Sequence, residues 1–192
     1  MVRDPRPNGG RVCLTGNRTE DKEIATRRAS KTNWQRYLKN DYGADINVVL
    51  AAIWTGTQGV RLMAADLNPL MSAVAEWHDR VVHPLRTVRQ DMKAGLGAPP
   101  PMADKLRGEV KLLELDAEQL EQLMLAQLLP DDSRPPGGEV ALAAACANAL
   151  AYCEQLGGPV GKPFLENLSA LIGGAFPDLP SETVFTSICS LQ

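Results

Sequence analysis

Between Asp45 and Thr55 the chain reads Asp-Ile-Asn-Val-Val-Leu-Ala-Ala-Ile-Trp-Thr, and the seven residues from Val48 to Trp54 carry no polar side chain. A helix on a protein surface shows one apolar stripe, whereas a helix that is apolar on every side is buried on every side. Asp45 stands where an N-cap belongs, able to take up an otherwise unpaired backbone N–H, and Gly56 follows where such a helix would stop. The pattern predicts a short central helix in an all-α domain, with longer amphipathic helices packed around it. A buried helix of this kind says how a molecule is built and brings no chemistry of its own.

The clearest periodicity lies downstream. Leu67, Leu70, Val74, Trp77, Val81, Leu85, Val88 and Met92 follow one another by threes and fours, the spacing of one helix face. Asp66 is the expected N-cap of this helix and Gly95 its expected stop. Pro84 lacks the N–H that would bond the Arg80 carbonyl, so a kink is expected there, with the apolar phase continuing across it. A linker of glycines and prolines, Gly95 to Pro101, precedes a helix expected over Met102–Leu129. In that helix Leu106, Val110, Leu113, Ala117, Leu120 and Met124 form a heptad seam. Glu109, Lys111, Glu114, Asp116, Glu118 and Glu121 then make up a mostly acidic outer face. Val140–Leu156 is alanine-rich, a composition that favours helix and permits close helix contacts. Shorter helices are expected from Pro163 to Ile172 and from an N-cap at Ser181 onward. No stretch shows the period-two alternation of a strand. The expected fold is an all-α helical bundle of five to seven helices with a short buried central helix.

Charge is unevenly spread. Residues 1–43 hold ten Lys/Arg and five Asp/Glu, a net +5; residues 44–192 hold ten and eighteen, a net −8, which together give the overall −3. Residues 1–33 therefore read as a basic arm, disordered or loosely docked, ahead of a single helical domain over 34–192. Such an arm can dock on the acidic body, on nucleic acid or on anionic lipid. Only Ile24, Trp34, Tyr37 and Leu38 are large apolar groups between Thr19 and Asn40, and the last three suggest a final helical turn that ends at Gly43. The longest uncharged runs, Ile46–Val60 and Val140–Cys153, fall short of the roughly 20 residues a membrane-spanning helix needs. Cys146 and Cys153 on one helix lie about 10.5 Å apart, too far to bridge. Residues 1–30 show no apolar leader core, so reduced thiols in a cytoplasm are expected.

No catalytic, cofactor-binding or metal-ligating residue is expected. His78 and His83, the two histidines, sit about 140° apart on a regular helix and are expected to be structural. Glu76 and Arg80 form a favourable i, i+4 surface pair. Gly157 to Pro163 resembles a phosphate loop only superficially, because Leu156 stands where the first glycine belongs and Pro163 where a hydroxyl belongs. Arg86, Arg89 and Lys93 read as a solvated last turn that could also meet phosphates or an acidic partner. Asp45 is expected to cap, Asn47 to satisfy backbone groups, Trp54 and Trp77 to fill the core, and Cys146, Cys153 and Cys189 to pack in apolar settings.

Asp45-Ile46-Asn47-Val48-Val49-Leu50…Trp54, then Trp77…Val81-Val82…Pro84-Leu85-Arg86, then Leu113-Glu114-Leu115-Asp116-Ala117-Glu118, resemble the motifs of a family of small helical proteobacterial proteins, conserved hypothetical proteins with a domain of unknown function. The resemblance covers roughly residues 36–129. It implies no activity and no cofactor. Residues 1–33 depart from the aromatic-rich helix with which that family opens. Function is thus expected to lie in protein–protein contacts, as a cytoplasmic adaptor, regulator or homo-oligomer. Nucleic-acid binding through the basic arm is one alternative, and an enzyme without a recognisable motif around Asp45 and Asn47 is another.

Overall fold

The computed structural model describes Leu38 and residues 43–129, 138–158 and 160–191. The expectations for the arm over residues 1–33 lie outside this range. Among the described residues there are seven α-helices, one π-helical turn and no strand, so the chain is all-α. We label the helices α1 (Ile46–Thr57), α2 (Ala64–Trp77), α3 (His83–Lys93), α4 (Pro100–Leu128), α5 (Gly138–Gln155), α6 (Lys162–Gly173) and α7 (Ser181–Cys189).

Helix α1 starts as the sequence predicts. Asp45 has extended backbone and its carboxylate accepts the Asn47 N–H at 2.9 Å. Seven of the twelve α1 residues are buried. Yet the hub of the bundle is the alanine-rich α5, which contacts α1, α2, α6 and α7. Eleven of its eighteen residues are buried, because small side chains let neighbours approach from several directions. Gly56 of α1 packs directly on the Ala144–Ala145 backbone of α5, leaving no room for a β-carbon. Asn148 of α5 is fully buried and saturated: it accepts from Leu62 N–H at 2.7 Å and donates to the carbonyls of Ala52 and Val60 at 3.1 and 2.9 Å. It thereby pins the α1–α2 connection, a role for which an isolated Asn in an apolar helix was the sequence signal.

Helix α2 begins two residues before Asp66, the N-cap that the sequence suggests. Met63 is its N-cap, and Asp66 reaches back from the third position to accept Met63 N–H at 2.8 Å. The kink expected at Pro84 takes the form of a π turn over His78–Val82, where His83 N–H bonds the His78 carbonyl. Winding wider just ahead of Pro84 removes the demand for the N–H that proline lacks, and Pro84 then occupies the first turn of α3, where that absence costs little. The extra residue in the turn also breaks the apolar phase. Leu67, Leu70, Val74 and Val82 are buried, but Val81 is half-buried and Val88 is exposed. The face of α3 turned toward α4 carries Arg86 and Arg89 instead.

The seam expected on α4 is rotated. Of its members Ala117 is buried and Met124 packs on the core, but Leu106, Leu113 and Leu120 are 52%, 55% and 50% exposed, and the buried stripe is Glu114, Ala117, Glu121 and Leu125. Two glutamates assigned to the outer face are thus the inward ones, because α2, the π turn and α3 present His78, Arg86 and Arg89 to meet them. Helices α6 and α7 close the far side of α5 with Phe164, Leu168, Ile172, Val184 and Ile188. The α7 N-cap is Pro180, with Ser181 the first helical residue. Cys146 and Cys153 are buried and unbridged as expected, but Cys189 is exposed rather than packed in the core. One apolar cluster runs from Leu38 through α1, α2 and α5 to Ile188.

Candidate functional site

Four elements converge on one polar centre. The N-terminus of α1 supplies Asp45 and Asn47, the π turn supplies His78, α4 supplies Glu121 and Gln122, and α5 supplies Tyr152. His78 Nδ1 lies 3.2 Å from Asp45 Oδ2 and 3.0 Å from Glu121 Oε1. The other oxygen of each carboxylate is held in place. Asp45 Oδ1 accepts the Asn47 backbone N–H at 2.9 Å, and Glu121 Oε2 accepts the Asn47 side-chain amide at 2.5 Å. Asn47 Oδ1 accepts in turn from Gln122 at 3.0 Å, and the Tyr152 hydroxyl accepts the Asp45 N–H at 2.9 Å. Glu121 is wholly buried, while the side chains of Asp45 and His78 keep 15% and 19% exposure, so the centre has a solvent rim on that side.

Hydrogen bonds to Asp45 and Glu121 push His78 up to about 10, against the opposing effect of its burial. Burial raises the Asp45 carboxyl, but the hydrogen bond and charge of His78 outweigh it and hold the group below its ordinary value. Burial holds Glu121 above its ordinary value; His78 pulls it back and the Asp45 charge adds to the rise. Burial also raises the Tyr152 hydroxyl, which therefore stays neutral.

For a histidine raised from 6.5 to about 10, the stabilisation from its charged form is complete below pH 6.5 and is lost as pH rises toward 10. Denaturant unfolding of the wild type should thus lose on the order of a few kcal/mol between these limits. The His78→Gln variant should show a much flatter profile over the same window. Equal pH dependence in the two proteins would assign the effect elsewhere.

A second charged layer lies beside the first. Arg86 donates through Nε to Glu114 at 3.0 Å and through Nη2 to Glu118 at 2.5 Å, and Arg89 donates through Nε and Nη2 to both oxygens of Glu114. Glu114 and Arg86 are largely buried, at 7% and 14% side-chain exposure. The Arg86 Nη1 is buried and has no hydrogen-bond partner among the described residues. Burial raises Glu118 despite the attraction of Arg86. Trp77 straps the layers together, its indole N–H donating to the Ala117 carbonyl at 3.0 Å.

Sequence reasoning placed some of these groups correctly. Asp45 caps α1, and Glu76 and Arg80 form the expected exposed pair at 2.7 Å. It missed others. Asn47 serves Glu121 and Gln122 rather than backbone groups. Arg86 and Arg89 are not solvated but spent on carboxylates, and Trp77 is half-buried. His78 enters the centre while His83 stays exposed. No motif in the sequence marks Glu114, Glu118, Glu121 or Tyr152 as belonging to a site. The three glutamates recur at helical spacing, which was a signal, but the leucines at 106, 113 and 120 offered a competing phase.

Fold and centre together define the class: an all-helical protein built around a buried, hydrogen-bonded carboxylate–imidazole cluster. The chain belongs to the family described as a protein of unknown function (DUF2390), whose model matches residues 27–125. The residues that carried the resemblance meet in space, since Asp45, Asn47, Trp77, Arg86, Glu114 and Glu118 all belong to the two charged layers. No curated protein and no solved structure matches the chain.

Proposed function

We propose that the chain works through protein–protein contacts, with the outer face of α4 as the surface and a second copy of the chain as its first partner. The carrying observation is the exposed leucine stripe Leu106, Leu113 and Leu120, flanked by Leu123 at 44% exposure. Scattered surface leucines are ordinary, but a run of them on one helix face is a mark of an interaction site. Seven-residue spacing also suits self-pairing. A twofold axis at Leu113 sets Leu106 of one copy against Leu120 of the other, so the stripe is its own complement.

A cytoplasmic, reduced setting accompanies this proposal and is supported by the buried, unbridged Cys146 and Cys153. Among the described residues no helix is long and apolar enough to cross a membrane. Nucleic-acid binding by the α3 cations has less support, because Arg86 and Arg89 are already paired with Glu114 and Glu118.

Light scattering coupled to size exclusion tests the proposal. The wild type should elute with the mass of a dimer, and the Leu113→Glu/Leu120→Glu variant with that of a monomer. The unfolding midpoint measured on the dissociated protein should be unchanged by these surface substitutions. A wild type that holds the mass of one chain across a hundredfold range of concentration would defeat the self-pairing reading.

A further inference from the structure

We infer that Asp45, His78 and Glu121 form a binding site for a first-row divalent cation of the Zn²⁺ class. This stands independently of the α4 surface, since Glu121 is buried in the bundle while the leucine stripe is exposed. Asp45, His78 and Glu121 each offer one ligand atom, and these three atoms lie within 4.8 Å of one another. Two of the three separations are 3.0 and 3.2 Å. Ligands about 2.0–2.2 Å from a common cation stand about 3.0–3.5 Å apart in octahedral or tetrahedral arrangement, so these two edges already have the length such a polyhedron needs.

The same contacts are poorly served by a proton alone. Nδ1 carries at most one hydrogen, yet two carboxylate oxygens crowd that single nitrogen. A cation in their midst satisfies the lone pair of the imidazole and one oxygen of each carboxylate at once. The ligands are also fixed from behind: Asn47 holds the far oxygen of both carboxylates, one through its backbone and one through its side chain. Such outer contacts orient ligands in metal sites.

The donor set selects the cation. One imidazole with two carboxylates suits first-row divalent ions better than Ca²⁺ or Mg²⁺, which favour oxygen alone. Three protein ligands leave at least one coordination position for water or a substrate atom, unlike the closed four-ligand structural sites. The partial exposure of Asp45 and His78 supplies the route of entry.

The test uses the full chain stripped with a chelator, then titrated with Zn²⁺ by calorimetry and with Co²⁺ by visible absorption. One equivalent per chain should bind, and the cobalt spectrum should lack thiolate charge transfer. Glu121→Gln and Asp45→Asn should each weaken binding by tenfold or more. Asp45→Asn keeps a good N-cap side chain, so it remains informative if the buried Glu121→Gln variant does not fold. A variant in which Cys13, the first of the four cysteines in the sequence, and the exposed Cys189 are both replaced by serine should bind as the wild type does. Absence of one-to-one binding at millimolar metal would overturn the inference, as would binding that survives both carboxamide variants or is lost with the cysteines.

Discussion

Replacing Gly56 by alanine is expected to destabilise the protein by about 3 kcal/mol or more, the upper end of what overpacking costs. A β-carbon there would lie 2.2 Å from the Ala145 Cα, 2.3 Å from its backbone nitrogen and 2.8 Å from the Ala144 carbonyl carbon. These are main-chain atoms of α5, so no rotamer change relieves the contact, and α1 has to move away from the hub. Helix propensity pulls the other way, since alanine is preferred over glycine inside a helix by about 1 kcal/mol. The sign of the measured change therefore decides between local preference and helix contact. Thermal unfolding should show a midpoint lower by roughly 10 °C, given about 2–4 °C per kcal/mol for a chain of this size. Adding Ala145→Gly should not rescue the variant, because the clash is with backbone and not with the Ala145 methyl. A stabilised Gly56→Ala protein would mean that α1 and α5 are not in contact at this point.

Replacing Arg86 by methionine is expected to cost about 3–5 kcal/mol, the usual consequence of removing one partner from a buried ion pair. Glu118 then loses its guanidinium hydrogen bond, and Glu114 retains only Arg89. The penalty comes from an uncompensated carboxylate in a place that burial already makes unfavourable for charge. It follows that Arg86→Met combined with Glu118→Leu should recover most of the loss. Arg80→Ala, which removes the exposed Glu76 pair at 75% and 79% exposure, should change stability by no more than about 0.5 kcal/mol, since solvent screens such a pair. Denaturant melts of these three variants form a closed comparison. If the Arg86→Met protein matches wild type, the Arg86 and Glu118 side chains are hydrated rather than interlocked.

The unequal visibility of these features in the sequence has a physical origin. Asp45 was legible as a cap because capping is local: the carboxylate reaches the N–H two residues on, and no distant partner is needed. The helical class, the glycine and proline breaks and the small-residue character of α5 were legible for the same reason, being set by backbone preference and composition. The family was legible too, through motifs contiguous in the chain.

Which face of α4 turns inward was not. Leucines seven apart and glutamates seven apart both run along that helix, and hydrophobicity alone favours burying the leucines. The structure buries Glu114 and Glu121 because Arg86, Arg89, His78 and Asn47 arrive on that side to satisfy them. The positions of those partners depend on the π turn before Pro84, which turns the α3 face by an extra residue, and on the approach of α1 to α5 through Gly56. The sequence by itself therefore determined that this protein is helical, roughly where its helices lie, and the family to which it belongs. Only the tertiary structure decided that His78 meets Asp45 and Glu121, since residues separated by 33, 43 and 76 positions (78 − 45, 121 − 78 and 121 − 45) are joined by packing and not by any local rule.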